Sequence, residues 1–515
     1  MDINDFPVAL TAMPGAATAW HGTVTASEMR SVCARVKEDG GRLIALWGTD
    51  ERQRSSGFAL HVALMDHPGL ICLSLPVAES TPEYPAIDDL FPVANRMQRA
   101  LYDLLGVRAQ EAADQRPWLR HGAWPELVFP LRKDVDAKTA YPAVGNDYPF
   151  VQVSGGGVHE IAVGPVHAGT IEPGHFRFSV VGERVLRLEE RLGYTHKGIE
   201  KLAEGMAIPE AARLAGRVSG DSTVAYAWAF AMAVESIAGY TPPSRALWLR
   251  ALCLERERIA NHLGDLGYLG NDVALSFGFA QFWRLKEEWL RTQQDLFGHR
   301  YLMDFIMPGG VRGDLDAAGV ICLLEEADAL EQQVRRLQNI YDEHAGVQDR
   351  FLTTGRVAPS LAAQLGLTGL AGRASAQAWD LREQYPAAPY DQLEVRMATR
   401  RNGDVAARVA VRFDEIYESL RLIRLILAGL PEGTTLQEVP PLPDTGFGIG
   451  WIEGWRGEVL IALHTGKDGV IHRLHPHDPS WQNWPLLEHA IIGNIVPDFP
   501  LINKSFNLSY SGQDL

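Results

Sequence analysis

The sequence predicts an α+β protein: a small N-terminal α+β domain, then a mainly helical domain with short β elements at its start and end. Three observations carry this. Short apolar runs alternate with turn residues from Arg42 to Leu75, long segments of helical period lie between residues 211 and 428, and strand-like runs dense in Trp and His return from Thr445. At 515 residues the chain also exceeds the roughly 250–300 residues at which single cores stop growing.

The N-terminal part reads as a meander. Runs at Leu43–Trp47, Phe58–Met65 and Leu70–Leu75 are separated by pieces such as Asp66-His67-Pro68-Gly69, and a helix fits Asp88–Leu105, stopped by Gly106. The stretch Arg116–Gly157 carries repeated Pro and Gly and reads as extended, giving a domain over 1–140, a connector over 141–160 and a second domain over 161–515. Ser154-Gly155-Gly156-Gly157 lacks the Lys-Ser/Thr of a phosphate loop and reads as a turn. A β region follows over Ile161–Leu188, then helical patterns over Ala211–Ala238, Pro243–Leu266, Ala280–Leu296, Asp314–Glu343 and Val405–Ala428. In the second of these, Leu247, Leu254 and Ile259 are expected inward, and the mixed charges Glu255, Arg256, Glu257 and Arg258 on a solvated face. Small residues from Gly220 to Ala233 suit the central helix of a bundle.

Composition excludes several classes. Lys and Arg total 48 against 64 for Asp and Glu, a formal charge of −16, which argues against sequence-independent nucleic-acid binding. Cys33, Cys72, Cys253 and Cys322 are too scattered for a zinc ribbon, a redox pair or a cluster motif. They are also too sparse for a disulfide framework, so a reducing compartment is expected. Asp2 and Asp5 sit where a signal peptide would be basic. The most apolar run, Thr223–Val234, is far shorter than the ~20 residues of a membrane span.

Several blocks are too specific for periodicity alone. Phe91–Val135, with Tyr102-Asp103-Leu104-Leu105-Gly106 and Pro130-Leu131-Arg132-Lys133-Asp134, resembles the 30-kDa-type subunit of respiratory complex I. Gly164-Pro165-Val166-His167, Tyr194–Lys201, Gly309-Gly310-Val311-Arg312, Trp379–Arg382, Pro389-Tyr390-Asp391 and Asn402–Val405 resemble the 49-kDa-type subunit, kin to the large subunit of nickel-iron hydrogenases. Both modules in one chain resemble the large subunit of the membrane-bound hydrogenases of the hydrogenase-4 type. The second domain is thus expected to be hydrogenase-large-subunit-like.

The resemblance implies four metal-binding thiolates at positions that here read Ser219, Ser222, Ser509 and Gly512. Hydroxyls are hard, weakly acidic donors where soft sulfur is needed, so nickel-iron hydrogenase activity is not expected. The complex I branch implies a His and a Tyr on a quinone headgroup. Those positions fall at or near Pro173 and at Gly220, with His175 two residues on, so neither is preserved. Asp272 matches a complex I aspartate near that His. Glu172 falls where hydrogenases carry a proton-relay glutamate, which requires a desolvated pocket; the alternative is a hairpin carboxylate in water. Arg456 matches an arginine over the metal, with Trp455 replacing a Pro; it is expected either to pair with Glu172 or Asp272 or to form a structural ion pair.

Other clusters favour structure over chemistry. His196 and Glu200 are read as a pair on one helix face rather than a magnesium site. His472, His475 and His477 do not fit one helix face; His475–Pro479 reads as a loop with Asp478 beside either His. Trp451, Trp455, Trp481 and Trp484 read as core or interface. No dinucleotide fingerprint follows a strand.

The expected function is a subunit of a membrane-associated oxidoreductase, peripheral on the cytoplasmic face of the cell membrane, beside an iron-sulfur subunit and antiporter-like membrane subunits. This chain is expected to bind no cofactor, with electrons passing from the partner to a quinone or another acceptor through a pocket bearing Glu172, Asp272, His175 and Arg456. The alternative is a non-catalytic scaffold linking a soluble partner to an ion-translocating membrane arm.

Overall fold

The computed structural model describes residues 3, 6–54, 57–145, 147–166 and 171–515; Asp2, Asp5 and His167 lie outside the described residues. Strands β1 (Thr11–Ala12), β2 (Ala19–Thr23), β3 (Arg42–Asp50), β4 (Phe58–Asp66) and β5 (Gly69–Val77) form one sheet ordered β1-β2-β5-β4-β3, with β2 parallel to β5. Helix α1 (Ala26–Glu38) opens on a capping box in which Thr25 accepts from Glu28 N and the Glu28 carboxylate accepts from Thr25 N. Helix α2 (Ala94–Leu105) starts later than the predicted Asp88, because Pro92 disfavours helical geometry at Phe91 and Ile87–Phe91 closes as a turn. A short parallel pair, β6 (Glu83–Pro85) and β7 (Arg108–Gln110), follows.

The second part begins with the antiparallel sheet β8 (Val158–Val163), β9 (His175–Val181) and β10 (Arg184–Arg191). Helices α3 (Ile199–Ala203), α4 (Ile208–Ala215), α5 (Thr223–Ala238), α6 (Ser244–Asp272) and α7 (Ser276–Phe297) come next, then the pair β11 (Ile306–Met307) and β12 (Gly310–Val311). After α8 (Ala317–Glu343), α9 (Ala345–Phe351), α10 (Pro359–Leu365), α11 (Gly369–Ala374) and α12 (Leu381–Gln384) comes α13 (Val405–Gly429). The chain closes with the antiparallel sheet β13 (Phe447–Glu453), β14 (Glu458–Thr465) and β15 (Ile471–His477), then α14 (Ser480–Ala490), α15 (Phe499–Phe506) and α16 (Tyr510–Asp514). The α+β expectation is met.

Four local expectations are corrected. The helix expected over Ala211–Ala238 is broken into α4 and α5 around residues 216–222, where side chains from α6 and the β13–β14 turn hold the backbone in another course. The small residues of α5 face a strand rather than a helix bundle. A Cβ at Gly450 of β13 would stand 1.7 Å from the Ala229 carbonyl oxygen, and one at Gly448 2.2 Å from that of Ala233, so glycines on the strand let the two backbones touch. Glu255, Arg256, Glu257 and Arg258 are buried, while Leu247 is half-buried. Three of the four charges have buried or half-buried ionic partners: Arg382 joins Glu255 to Asp380, Arg256 meets Glu326, and Arg258 lies between Glu255 and Glu415, while Glu257 accepts from the backbone N–H groups of Val224 and Ala225. The residues His475 and His477, expected in a loop, lie on β15, where alternate positions meet both neighbouring layers.

The two parts share an apolar layer. Ile44, Trp47, Ala63 and Cys72 of the N-terminal sheet pack against Ile449, Trp451, Leu460 and Ala462 of the β13–β14–β15 sheet, the face-to-face arrangement that buries two alternating strand surfaces at once.

Candidate functional site

The predicted ligand positions converge, although they come from distant parts of the chain. Ser219 and Ser222 lie in the turn before α5. Ser509 caps α16 by accepting from Gly512 N at 2.8 Å. Ser219 Oγ reaches Ser509 Oγ at 2.9 Å and donates to Asp221 Oδ1 at 2.8 Å. Arg456, on the tight turn Gly454–Gly457 between β13 and β14, donates to Asp221 Oδ1 at 2.8 Å and Oδ2 at 2.6 Å, to Ser222 Oγ at 3.2 Å and to the Asn507 carbonyl at 2.6 Å. Its partner is therefore Asp221, not Glu172 or Asp272, because the turn that carries Arg456 abuts the start of α5. Burial opposes ionisation of Asp221, but the guanidinium and the Ser219 hydroxyl outweigh it and hold the carboxyl well below its usual range.

The backbone beneath is fixed. Asn261 Nδ2 and Trp455 Nε1 both donate to the Asp221 carbonyl, and Glu257 accepts from Val224 N and Ala225 N at the start of α5. Burial pushes the Glu257 carboxyl up to about 8 despite those two N–H groups.

A nickel-iron centre does not fit these residues. Three hydroxyls and a hydrogen stand where soft thiolates are required, and the hydroxyls are engaged with one another and with an ion pair. At the fourth position a Cβ on Gly512 would stand 2.4 Å from Asp478 Oδ2. Asp478 is held there by the Tyr226 hydroxyl at 2.7 Å and by Ser480 N at 2.8 Å.

Beside this network opens a cavity of about 510 Å³ between α6, α15, α16 and the segment leading into β9. Asp272, the last residue of α6, lines it, and burial pushes its carboxyl up to about 6 against the pull of Lys504. Lys504 lines it too, with Asn507 Oδ1 at 3.1 Å and Asp265 Oδ1 at 3.2 Å. Glu172 is exposed and accepts from Ser511 N at 3.1 Å, which corrects the desolvated-pocket expectation: the turn before β9 leaves it at the surface. His175, at the start of β9, shares a 3.1 Å hydrogen bond between Nδ1 and the Gly164 carbonyl, and among the described residues its buried Nε2 has no hydrogen-bond partner. Burial lowers its pKa.

The remaining candidates have structural partners. His196 precedes α3 and bonds the Asp514 carbonyl through Nδ1, so it does not pair with Glu200. Glu200 instead binds Arg473 at 2.7 Å and His475 at 2.8 Å. His477 bonds Gln482, and His472 lies 3.3 Å from Glu51. Asp478 meets Tyr226 rather than a histidine, because β15 carries the histidine side chains away from it. Asp265, Lys504, Asn507 and Tyr510 escape a motif reading. The one sequence signal for two of them is that Asn507 and Tyr510 flank the ligand position Ser509.

With the geometry in place, comparison with known proteins is decisive. Residues 22–141 match the family described as Respiratory-chain NADH dehydrogenase, 30 Kd subunit, and residues 272–446 match its 49 Kd subunit. The chain is 32% identical to formate hydrogenlyase subunit 5 of Escherichia coli (strain K12), over 93% of this chain and 85% of the relative. The chain belongs to the family of fused 30 Kd and 49 Kd complex I-type subunits. Within that family, hydrogenase-4 component G of Escherichia coli (strain K12) is 31% identical, covering 92% of this chain and 84% of the relative. The carbon monoxide-induced hydrogenase of Rhodospirillum rubrum is 33% identical over 68% of this chain and 97% of its own length. A chain from the membrane-bound sulfane sulfur reductase, an archaeal respiratory membrane complex, superposes with a TM-score of 0.66 at 25% identity, covering 70% of this chain and 98% of that one. Relatives of this family are subunits of hydrogenase and complex I-like oxidoreductases, as the sequence led one to expect.

Proposed function

We propose that this chain is the acceptor-binding subunit of a complex I-like, membrane-associated oxidoreductase and holds no nickel-iron centre of its own. Electrons arrive from an iron-sulfur partner, and a quinone or similarly small acceptor is reduced in the cavity beside Asp272. The observation that carries this reading is the pairing of an ion-paired hydroxyl network at three of the four ligand positions, the fourth being Gly512, with an open cavity lined by Asp272 and Lys504. A carboxyl titrating near neutrality can hold and release a proton at the acceptor. Among the described residues no helix is long and apolar enough to cross a membrane; attachment at the cytoplasmic face through antiporter-like subunits is part of the proposal.

The test is turnover by the purified complex. It is expected to reduce a short-chain quinone analogue, and Asp272→Asn is expected to lower the rate and remove an inflection near pH 6. Stoichiometric nickel in the native protein would overturn the reading. The self-satisfied Asp221–Arg456 network favours a second reading, a scaffold that couples a soluble partner to a membrane arm. An assembled complex whose rate is untouched by both Glu172→Gln and Asp272→Asn would select it.

A further inference from the structure

The cavity beside Asp272 has two donors that the described residues leave partly unused. Tyr510 Oη accepts from Asn503 Nδ2 at 3.3 Å, and no acceptor for its own proton is found among the described residues. Its ring cannot swing freely. A Cβ at Gly174 would stand 2.6 Å from Tyr510 Cε1, so the absence of a side chain there admits the ring, and Trp484 meets its other side edge-on at 4.7 Å. Lys504 Nζ carries three protons, of which Asn507 Oδ1 and Asp265 Oδ1 take two. Its ammonium also lies 4.9 Å from the Tyr268 ring centroid. Asn271, Asp272, Asn503 and Asn507 are the other polar residues of the wall, and six apolar ones complete it: Val163, Ile171, Phe176, Phe499, Pro500 and Leu508.

Resting on the reading above that this cavity takes the acceptor, we infer that Tyr510 and Lys504 recognise the carbonyl oxygen of an aromatic diketone of the quinone class. An apolar wall with a few convergent polar groups suits a ring bearing one or two carbonyls. Burial pushes the Tyr510 hydroxyl well above its ordinary range, so it remains a proton donor rather than an anion. The amine adds positive charge where electron density accumulates on a reduced carbonyl. A small inorganic anion such as a polysulfide needs the ammonium but not the tyrosine proton, and it gains nothing from six apolar side chains.

The test uses the whole complex and a short-chain quinone analogue, with Kd from calorimetry and kcat and KM from turnover. Tyr510→Phe keeps the ring packed on Gly174 and Trp484 while removing the proton. It is expected to weaken binding about 5–10-fold, and Lys504→Met about 10–100-fold, with Lys504→Arg restoring part of the loss. If the wild-type complex neither binds nor reduces the analogue, the proposed function fails. If the wild type does both and the two variants bind it equally well, this inference alone fails. Loss in Lys504→Met with none in Tyr510→Phe overturns it in favour of an anionic ligand.

Discussion

Replacing Arg456 by methionine tests how the hydroxyl network is held together. The guanidinium is buried and makes two short bonds to Asp221, while the Asp221 side chain remains 39% exposed. Removing one partner of a fully buried pair costs about 3–5 kcal/mol and of a surface pair about 0–1 kcal/mol. Water still reaches Asp221, so the loss for Arg456→Met should lie between them, about 2 kcal/mol, a factor of roughly 30 in the folded-to-unfolded ratio. Asp221→Asn alone should cost a similar amount, because it strands the buried guanidinium. The double variant should cost clearly less than the sum, with a coupling of about 1–2 kcal/mol. Urea unfolding of the four proteins supplies the cycle. Losses that add to within about 0.3 kcal/mol would show that the pair does not organise the site.

Gly512→Cys should destabilise the fold by about 1–3 kcal/mol through collision with Asp478, and adding the three Ser→Cys changes should not yield nickel binding; retained stability with stoichiometric nickel in the purified protein would contradict this. Gly450→Ala should be at least as damaging, since its Cβ meets the Ala229 backbone rather than a movable side chain; an unchanged thermal midpoint would contradict the close approach of α5 and β13. Acid should weaken the protein through His61 and His477, each buried and held down to about 3 by burial first and neighbouring positive groups second. A histidine whose folded pKa lies below the ordinary 6.5 leaves stability intact above 6.5. The loss then grows as pH falls towards 3, at up to about 1.4 kcal/mol per pH unit for each group. His61→Asn should flatten the fall measured by urea midpoints between pH 6.5 and 4; an unaltered slope would contradict it.

The sequence made the long helices and the ligand positions legible, because helical period and motif spacing are local. Ser219, Ser222, Ser509 and Gly512 could be identified from two short blocks, and they do meet across 290 residues of chain. What periodicity misjudged was charge. Glu255 and Arg258 read as a solvated face because mixed charge usually is one; only the tertiary partners Arg382 and Glu415, 127 and 157 residues away in sequence (382 − 255 and 415 − 258), make burial tolerable. The same limit hid Lys504, Tyr510 and Asp265. None belongs to a pattern that chemistry demands at a fixed spacing; Lys504 and Tyr510 acquire meaning only from the cavity they line, and Asp265 only from its pairing with Lys504 and Arg412. His475 and Glu200 show the converse: residues with suggestive spacing whose partners were set by which strand β15 pairs with, not by their neighbours in sequence.

The stacked sheets have a consequence for the piece of chain that joins them. Ile44, Trp47 and Cys72 on one side and Ile449, Trp451 and Leu460 on the other are buried against each other, whereas the residues around Tyr141–Gly145 lie largely open to water. The peptide there acts as a tether and not as a joint, so a single proteolytic cut in it should leave two fragments that migrate together through gel filtration. Gene fission at that point would then require no new contact surface.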